Sequence, residues 1–532
     1  MSMRQNTLRV LGVILTFFIA IPSANAEQVT LRSLDGSVAM TGDLLSFDGE
    51  KYVLKVMLGQ FEIAVADVTC EGEFCPEIIN SDFRLGGAST LAQVLIPSLF
   101  QDFSDLYGLV LGTSEATFAG DVPVQPYLFS TPNGDLFADV EVHSLGSEAA
   151  FGSLLSGDSE IALSSRAITS SEIDEFNAAG LGDLTEPTFQ VVAALDGLIV
   201  IVPPENTVAT LSVDELARIF SGRISNWSQL GGNDAPINVY RRDDASGSAS
   251  DFAAVVLDPS NARFSNKATS FTDDISLVRA VTNDPNGIGF TSIAYQQNTR
   301  AIPLRGTCGF VSTPSEFTVK TGEYPLARRV YLYTTNRMFG SIPREKAEKA
   351  LGFLQFVQSD SGQNAAEGSG FVSQSIAALP IEVQGQRLVN TMIADPGDVS
   401  LSSIRNMVAE LSGAIRLSST FRFKPNSSEL DAQARGDIPR LAAYLTNNDF
   451  AGREFLIAGF SDAAGAAGQN ASLSRRRAQQ VLDELKAILG DDAGNYSFAV
   501  EGFGEVSPQG CNDSFAGRSV NRRVEIWVRA SK

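Results

Sequence analysis

At 532 residues the chain is long enough for about two to four domains, each able to bury its own core. Its 62 acidic residues outnumber 40 basic ones, and the net charge of −22 excludes nucleic acid and anionic membrane surfaces as partners held by overall charge. Any anion bound here must be held by local geometry against a repelling field.

Residues 1–26 carry Arg4 and Arg9, an apolar run from Val10 to Ile21, and Ala24-Asn-Ala26 in the small-x-small pattern of a cleavage site. The segment reads as a cleaved signal peptide, because the apolar run is shorter than the ~20 residues needed to span a bilayer. No cysteine follows the cut to take a lipid, and no later apolar run is long enough to span. The expected compartment is extracytoplasmic and oxidising, where the four cysteines can pair.

Residues 27–81 read as a small all-β module, with short alternating runs over Val29–Ser33, Leu44–Phe47, Tyr52–Met57 and Phe61–Val65 broken by glycine turns. The pattern resembles the small five-stranded barrels of the SH3 and Sm type, which implies no function. Cys70 and Cys75 bracket a short loop, and a local disulfide is the reading, since a metal site would need two further ligands that are not nearby.

From Asp82 strands alternate with helical stretches, the signature of an α/β domain, here bounded at 82–385. Several strands run into helices through hydroxyl residues: Ser89 and Thr90 before an amphipathic run with Leu91, Val94, Leu95 and Leu99; Ser147 before Phe151 and Leu154; and Ser164-Ser165-Arg166. Each alone is an ordinary helix cap. The stretch Y-R-R-D-D-A-S-G-S-A-S-D-F, Tyr240–Phe252, adds charge to this pattern. A strand ending in Ser246, Gly247 and Ser248 and turning into a helix aims N–H groups and hydroxyls at one point, where the helix start favours an anion. Gly247 permits close approach, Arg242 supplies fixed positive charge, and Asp244 is expected to hold the arginine or accept a proton from the ligand.

Those motifs, with L-A-R-I-F-S-G-R-I-S-N-W-S-Q-L-G-G from Leu216, G-I-G-F at Gly287 and E-Y-P-L-A-R-R-V-Y-L-Y at Glu323, resemble the periplasmic phosphate-binding proteins of ABC transporters over about 82–380. The resemblance implies two α/β lobes closing on an anion, with crossings near Ile199–Pro204 and Gly287–Thr291, and a transporter permease as a further partner. By position it implies phosphate contacts at Ser89, Thr90, Leu91, Ser147, Ser165, Arg242, Asp244, Ser246, Gly247 and Ser248. Two positions depart from the family: Glu148-Ala-Ala follows Ser147, and Ser-Ser-Arg166 replaces the Ser-Asp whose carboxylate accepts a proton from phosphate.

Residues 386–412 read as a linker, with Asp395-Pro-Gly-Asp398 followed by a helical stretch whose Ile404, Val408 and Leu411 share one side. The last block, 413–532, contains a strand at Phe421–Phe423, Asn426-Ser-Ser-Glu-Leu430, a strand at Phe455–Phe460, a helix from about Leu473, and N-R-R-V-E. D-x-x-G-x-x-x-x-N-x-x-L-S-x-x-R-A from Asp462, together with N-R-R-V-E, resembles the OmpA-like peptidoglycan-binding domain. That resemblance implies Asp462 gripping the ammonium and Arg477 the carboxylate of a diaminopimelate side chain, with Gly465 and Asn470 shaping the loop between them, in the envelope of a Gram-negative bacterium. A zwitterion needs one carboxylate and one guanidinium whatever the family.

Cys308 and Cys511 remain once Cys70 pairs with Cys75, and an interdomain disulfide is expected, two separately buried thiols being the alternative. His143 is the only histidine, and the sequence offers no metal-ligand cluster and no nucleophile with a partner base, so neither an enzyme nor a cofactor nor a metal is expected. The leading expectation is a periplasmic oxyanion receptor, for phosphate, tethered non-covalently to peptidoglycan. The alternative is an envelope scaffold whose anion cleft is vestigial or repurposed.

Overall fold

The computed structural model describes residues 28–531 apart from 34, 35, 37, 48–50, 57, 58, 65, 66, 73, 76–80, 121, 394–398, 424–429 and 431. The signal segment, the Asp395–Asp398 turn and most of the Asn426–Leu430 run lie outside the described residues. The chain forms two compact units, one up to Asn80 that also takes Ser341–Pro343, the other holding Ser81–Gly340 and Arg344–Lys532.

In the first unit the strands Gln28–Ser33, Ala39–Phe47, Lys51–Val56, Gly59–Ala64 and Val68–Glu71 form one antiparallel sheet. Alternation puts Val29, Leu31, Tyr52 and Leu54 on the buried face. Cys70 and Cys75 are bonded. The two outermost strands, Gly59–Ala64 and Val68–Glu71, do not pair with each other among the described residues.

The second unit is built on a 12-stranded mixed sheet. Its first lobe holds the strands Phe83–Gly87, Val122–Ser130, Leu136–Ser144 and Ile161–Ser164; its second holds Asn238–Arg242, Thr269–Phe271 and Gly287–Ser292. One long strand, Gln190–Val202, joins them: it pairs with Ala327–Tyr333 as far as Gly197 and with Gly287–Ser292 from Leu198 onward. Its sequence QVVAALDGLIVIV is almost continuously apolar because both faces are covered. The crossing therefore begins nearer the N-terminus than expected. Gly287–Thr291, expected as the other crossing, lies inside the second lobe, and Ala327–Tyr333 accompanies the crossing strand instead. Phe220, Phe252 and Phe290 centre the second lobe's core, the last two stacked with ring centroids 4.1 Å apart.

The last block forms a five-stranded sheet in the order Ala378–Pro380, Ile415–Arg422, Arg523–Ala530, Arg453–Phe460, Ser497–Gly502, with the helices Ala432–Asn447 and Ala467–Leu489 packed on it. The second helix starts six residues before the expected Leu473 (473 − 467), because the chain already turns helically from Ala467 after an extended Ala466. The expected linker is largely helical, over Gly385–Ile393 and Leu401–Leu411; Met407 and Leu411 are buried there, whereas Val408 faces outward.

A buried ion cluster spans the join. Glu525, fully buried, accepts from Arg387, Arg523 and the Trp527 indole, and lies 3.2 Å from Arg416, which in turn donates to Glu323 at 2.7 Å. Burial alone would raise the Glu525 carboxyl, but Arg387, Arg416 and Arg523 outweigh it and hold the group well below the ordinary carboxylate range.

Candidate functional site

A cavity of about 440 Å³ lies where the lobes meet. It sits at strand ends that lead into helix starts, where first-turn N–H groups have no helical partner. Ser89 and Thr90 come from the turn after Phe83–Gly87, Ser147 from the first residue of the helix Ser147–Ser156, and Ser165 from the end of Ile161–Ser164. The second lobe supplies Arg242 at the end of Asn238–Arg242, then Ser246, Gly247 and Ser248 at the start of Gly247–Phe252. Ser246 precedes that helix without a side-chain capping bond, which leaves its hydroxyl to the cavity.

Arg242 lines the cavity and is 2% exposed, its guanidinium held in place by fixed acceptors. Nη1 donates to the Asp274 carboxylate and Nη2 to the Thr272 carbonyl at 2.7 Å. Asp274, also 2% exposed, accepts in addition from Thr90 Oγ1 at 2.7 Å and Thr291 Oγ1 at 2.8 Å. Thr90 belongs to the first lobe and Asp274 to the second, so this bond also joins the lobes. A second joining contact runs through Gly247: a β-carbon there would lie 2.3 Å from the hydroxyl oxygens of both Ser147 and Ser165. Arg328, on the strand beside the crossing, donates to Ser248 Oγ at 2.9 Å while paired with Asp196 and Asp251.

Two expected contacts are corrected. Asp244 does not hold Arg242; its side chain is 85% exposed and pairs with Arg241 at 2.6 Å. The reason is local, since the turn after the strand directs Asp243 toward the cavity and Asp244 to solvent, where Arg241 lies over the Phe264 ring. Leu91 is fully buried and its N–H donates to the Ala88 carbonyl at 3.0 Å, so it belongs to the core. Arg166, at the place of the family's acceptor, is bound twice to Glu172 and lies over Phe151, away from the cavity.

Sequence reasoning passed over Asp243 and Asp274. Asp243 lines the cavity half-buried, and among the described residues its carboxylate makes no hydrogen bond or ion pair. The other lining carboxylate, Asp273, is occupied as a helix cap, accepting from Ser276 N at 2.7 Å. The doubled R-R-D-D run contained the signal for Asp243. Asp274 reads locally as one more acidic residue at a helix start, with nothing to link it to an arginine 32 positions earlier. His143 stays on its strand, 3.1 Å from Glu141.

In the last block Asp462 lies at the end of the strand Arg453–Phe460, its Oδ2 accepting from Arg522 Nη1 at 2.7 Å and its Oδ1 from Ala464 N at 3.2 Å. Arg477, on Ala467–Leu489, is 1% exposed with its guanidinium over the Phe423 ring. Burial, and then Arg522, push its pKa down to about 10, against the pull of Asp462. Gly465 takes a left-handed turn at φ 97°. Asn470 is buried and donates to Glu505 at 3.0 Å, so it shapes the loop from beneath. Arg522 was legible in N-R-R-V-E, but nothing in the motif tied it to Asp462. Cys308 and Cys511 are bonded, and next to Cys511 the Asn512 side chain accepts from Ala463 N at 3.3 Å.

The fold and sites define a class: a two-lobed binding protein with a small polar cavity between the lobes, joined to an α/β domain that carries the Asp462–Arg522 ion pair. Residues 113–361 match the model of the PBP superfamily domain and residues 422–522 that of the OmpA family, so the chain pairs a PBP-like domain with a C-terminal OmpA family domain. It is similar to the phosphate-binding protein PstS of Borreliella burgdorferi, 27% identical over 232 residues, covering 43% of this chain and 77% of that protein. It is also similar to PstS of Bacillus subtilis, 28% identical over 259 residues, covering 47% and 77%. Among solved structures, an ABC-type phosphate transport receptor from Vibrio cholerae aligns at 21% identity over 55% of this chain and 99% of its own, with a TM-score of 0.39. The peptidoglycan-associated lipoprotein from Burkholderia pseudomallei aligns at 23% identity over 21% and 89%, with a TM-score of 0.19.

Proposed function

We propose that the protein is a periplasmic receptor for inorganic phosphate, held to peptidoglycan without a covalent bond. The observation that carries this reading is the cavity between the lobes with one fixed guanidinium and hydroxyls contributed by both lobes. A net charge of −22 would repel an anion from any less specific surface. The phosphate contacts are assigned to Ser89, Thr90, Ser147, Ser165, Arg242, Ser246, Gly247 and Ser248, with Asp243 in place of Asp244 as acceptor of the ligand's proton. The receptor takes 82–385, the connector 386–412 and the wall anchor 413–532, after a cleaved signal peptide at 1–26 in a Gram-negative bacterium. Asp462 and Arg477 hold the diaminopimelate zwitterion, and the bound anion is handed to an ABC transporter permease. The chain binds and does not catalyse.

Thermal-shift titration of the mature protein with phosphate, sulfate and arsenate tests the receptor. At 100 times its dissociation constant a ligand adds about 2.7 kcal/mol to stability. Phosphate is expected to stabilise the parent, and Arg242→Ala to weaken its binding at least about tenfold by removing a charge-assisted contact of ~1.5–3 kcal/mol. No shift with any of the three anions would favour the scaffold reading instead.

A further inference from the structure

The connector helix Gly385–Ile393 packs with its polar side inward. It buries Arg387, Asn390 and Thr391 and leaves Val389, Met392 and Ile393 exposed, the reverse of what the hydrophobic effect alone would give. The consequence is a guanidinium at the floor of an apolar cavity. That cavity, of about 210 Å³, is lined from this helix and from Leu401–Leu411. Arg387, Met407 and Leu411 are its buried residues, while Glu382 and Val408 are exposed at its rim.

Arg387 is held in place but not satisfied. Its Nη2 donates to both oxygens of Glu525, at 2.7 and 2.9 Å, and the guanidinium lies over the rings of Phe460 and Trp527. Nε and Nη1 are buried donors with no hydrogen-bond partner among the described residues. Glu525 has nothing left to offer them, because Arg523 and the Trp527 indole hold the same carboxylate and Arg416 lies 3.2 Å away. A buried donor without an acceptor is costly, and a guanidinium in that state favours an anion beside it. The walls decide what carries the anion. Ile381, Met407, Val408 and Leu411 present apolar surface, where a strongly hydrated oxyanion such as phosphate would lose its water without replacement. Glu382, the one acidic residue of the lining, is exposed at the rim, where solvent screens its charge.

We propose that this cavity binds a short aliphatic monocarboxylate, with its carboxylate at Arg387 and its chain along Met407, Val408 and Leu411. At ~30 Å³ for each water-sized group, 210 Å³ admits about seven such groups, which suits a chain of about six carbons. The site shares no lining residue with the anion cavity between the lobes. Its occupant adds a negative charge beside the ionic cluster that joins the receptor to the last block, since Arg387 and Arg416 both face Glu525.

Calorimetric titration of the full mature protein with hexanoate, acetate and 1-hexanol tests this. Hexanoate is expected to bind, and acetate and hexanol to bind at least about tenfold more weakly, since one lacks the chain and the other the charge. Saturating phosphate should leave the hexanoate affinity unchanged. Val408→Glu, at the exposed rim, should keep the fold and the phosphate response and weaken hexanoate at least about tenfold by placing a like charge in its path. Arg387→Met should weaken it as much by removing the donors. Absence of hexanoate binding overturns the inference, as does acetate or hexanol binding equally well, or a parent-like hexanoate affinity in Val408→Glu. Displacement of hexanoate by phosphate would put it in the anion cavity and overturn the inference too. If Arg387→Met does not fold, Val408→Glu and the ratio of hexanoate to hexanol decide.

Discussion

Arg242 and Arg477 are both almost wholly buried, yet their neighbours give them opposite characters. Arg242 has a carboxylate, Asp274, locked behind it by two hydroxyl donors, so its charge is held in place and its orientation fixed before any ligand arrives. Arg477 lies deep in the fold with a second guanidinium near it, and burial, then Arg522, bring its pKa down to about 10. Asp243→Asn follows from the first case: an amide repels sulfate less and accepts no proton as a carboxylate does, so phosphate affinity should fall and sulfate affinity rise, read by calorimetry on both anions. From the second case, Asp462→Ala and Arg477→Ala should each abolish pelleting with diaminopimelate-type peptidoglycan and leave the anion cleft untouched. Their double variant should be scarcely worse than either, because the two side chains act on one ligand. Pelleting at the parent's level by both single variants would remove peptidoglycan from this pocket. At this scale the sequence yields residue types and short spacings: Ser246-Gly247-Ser248 was legible because the turn chemistry is local. Whether Asp243 or Asp244 faces inward was not, because one residue of turn geometry reverses the answer.

The elements were easier to read than their junctions. Periodicity and glycine turns marked the first four strands of the N-terminal module and the α/β alternation beyond it, since those signals lie within a few residues of each other. Gln190–Val202 was harder to place: its continuous apolar run says that both faces are buried, not that its two halves belong to different lobes. The partners that decide this, Gly287–Ser292 and Ala327–Tyr333, lie about a hundred residues downstream. Gly247 is the junction with the most direct consequence. A β-carbon 2.3 Å from the oxygens of Ser147 and Ser165 has no room while the lobes touch, and its three nearest neighbours all belong to the opposite lobe. Gly247→Ala should therefore fold normally and weaken anion binding at least about tenfold by opposing closure. Small-angle scattering with saturating phosphate checks this: the variant should stay more extended than the parent, and identical compaction would refute it.

At the scale of the molecule, the receptor and the last block share one buried ionic cluster. Glu525 and Glu323 both have folded pKa values below their ordinary ones, so they contribute stability above the unfolded carboxylate pKa near 4.5 and lose it as pH falls toward their folded values. Acidification below about pH 4.5 should therefore loosen the join before the lobes themselves. Glu525→Gln should cost about 3–5 kcal/mol at neutral pH, because Arg387 and Arg523 would be left buried without their carboxylate. It should also flatten the acid dependence, and pH-dependent calorimetry of parent and variant measures both effects. The sequence placed Glu323 and Glu525 in separate motifs and Arg416 in none, and only the fold brings them together.

The bond between Cys308 and Cys511 determines which part of the receptor is stationary. Cys308 sits in the hairpin Leu304–Ser312, whose Leu304–Arg305 strand pairs with Leu211–Ser212 of the second lobe; Glu323 and the carbonyls that Arg422 grips extend from the same lobe. With the anchor fastened to the wall, the second lobe becomes the frame of reference, and the whole amplitude of opening falls to the first. A freely diffusing receptor tumbles and carries its cargo with it. Bolted on one side, this one presents its mouth at a constant angle to the cell wall. Anion capture is then set by how fast the small ion diffuses, and every release happens at the same address.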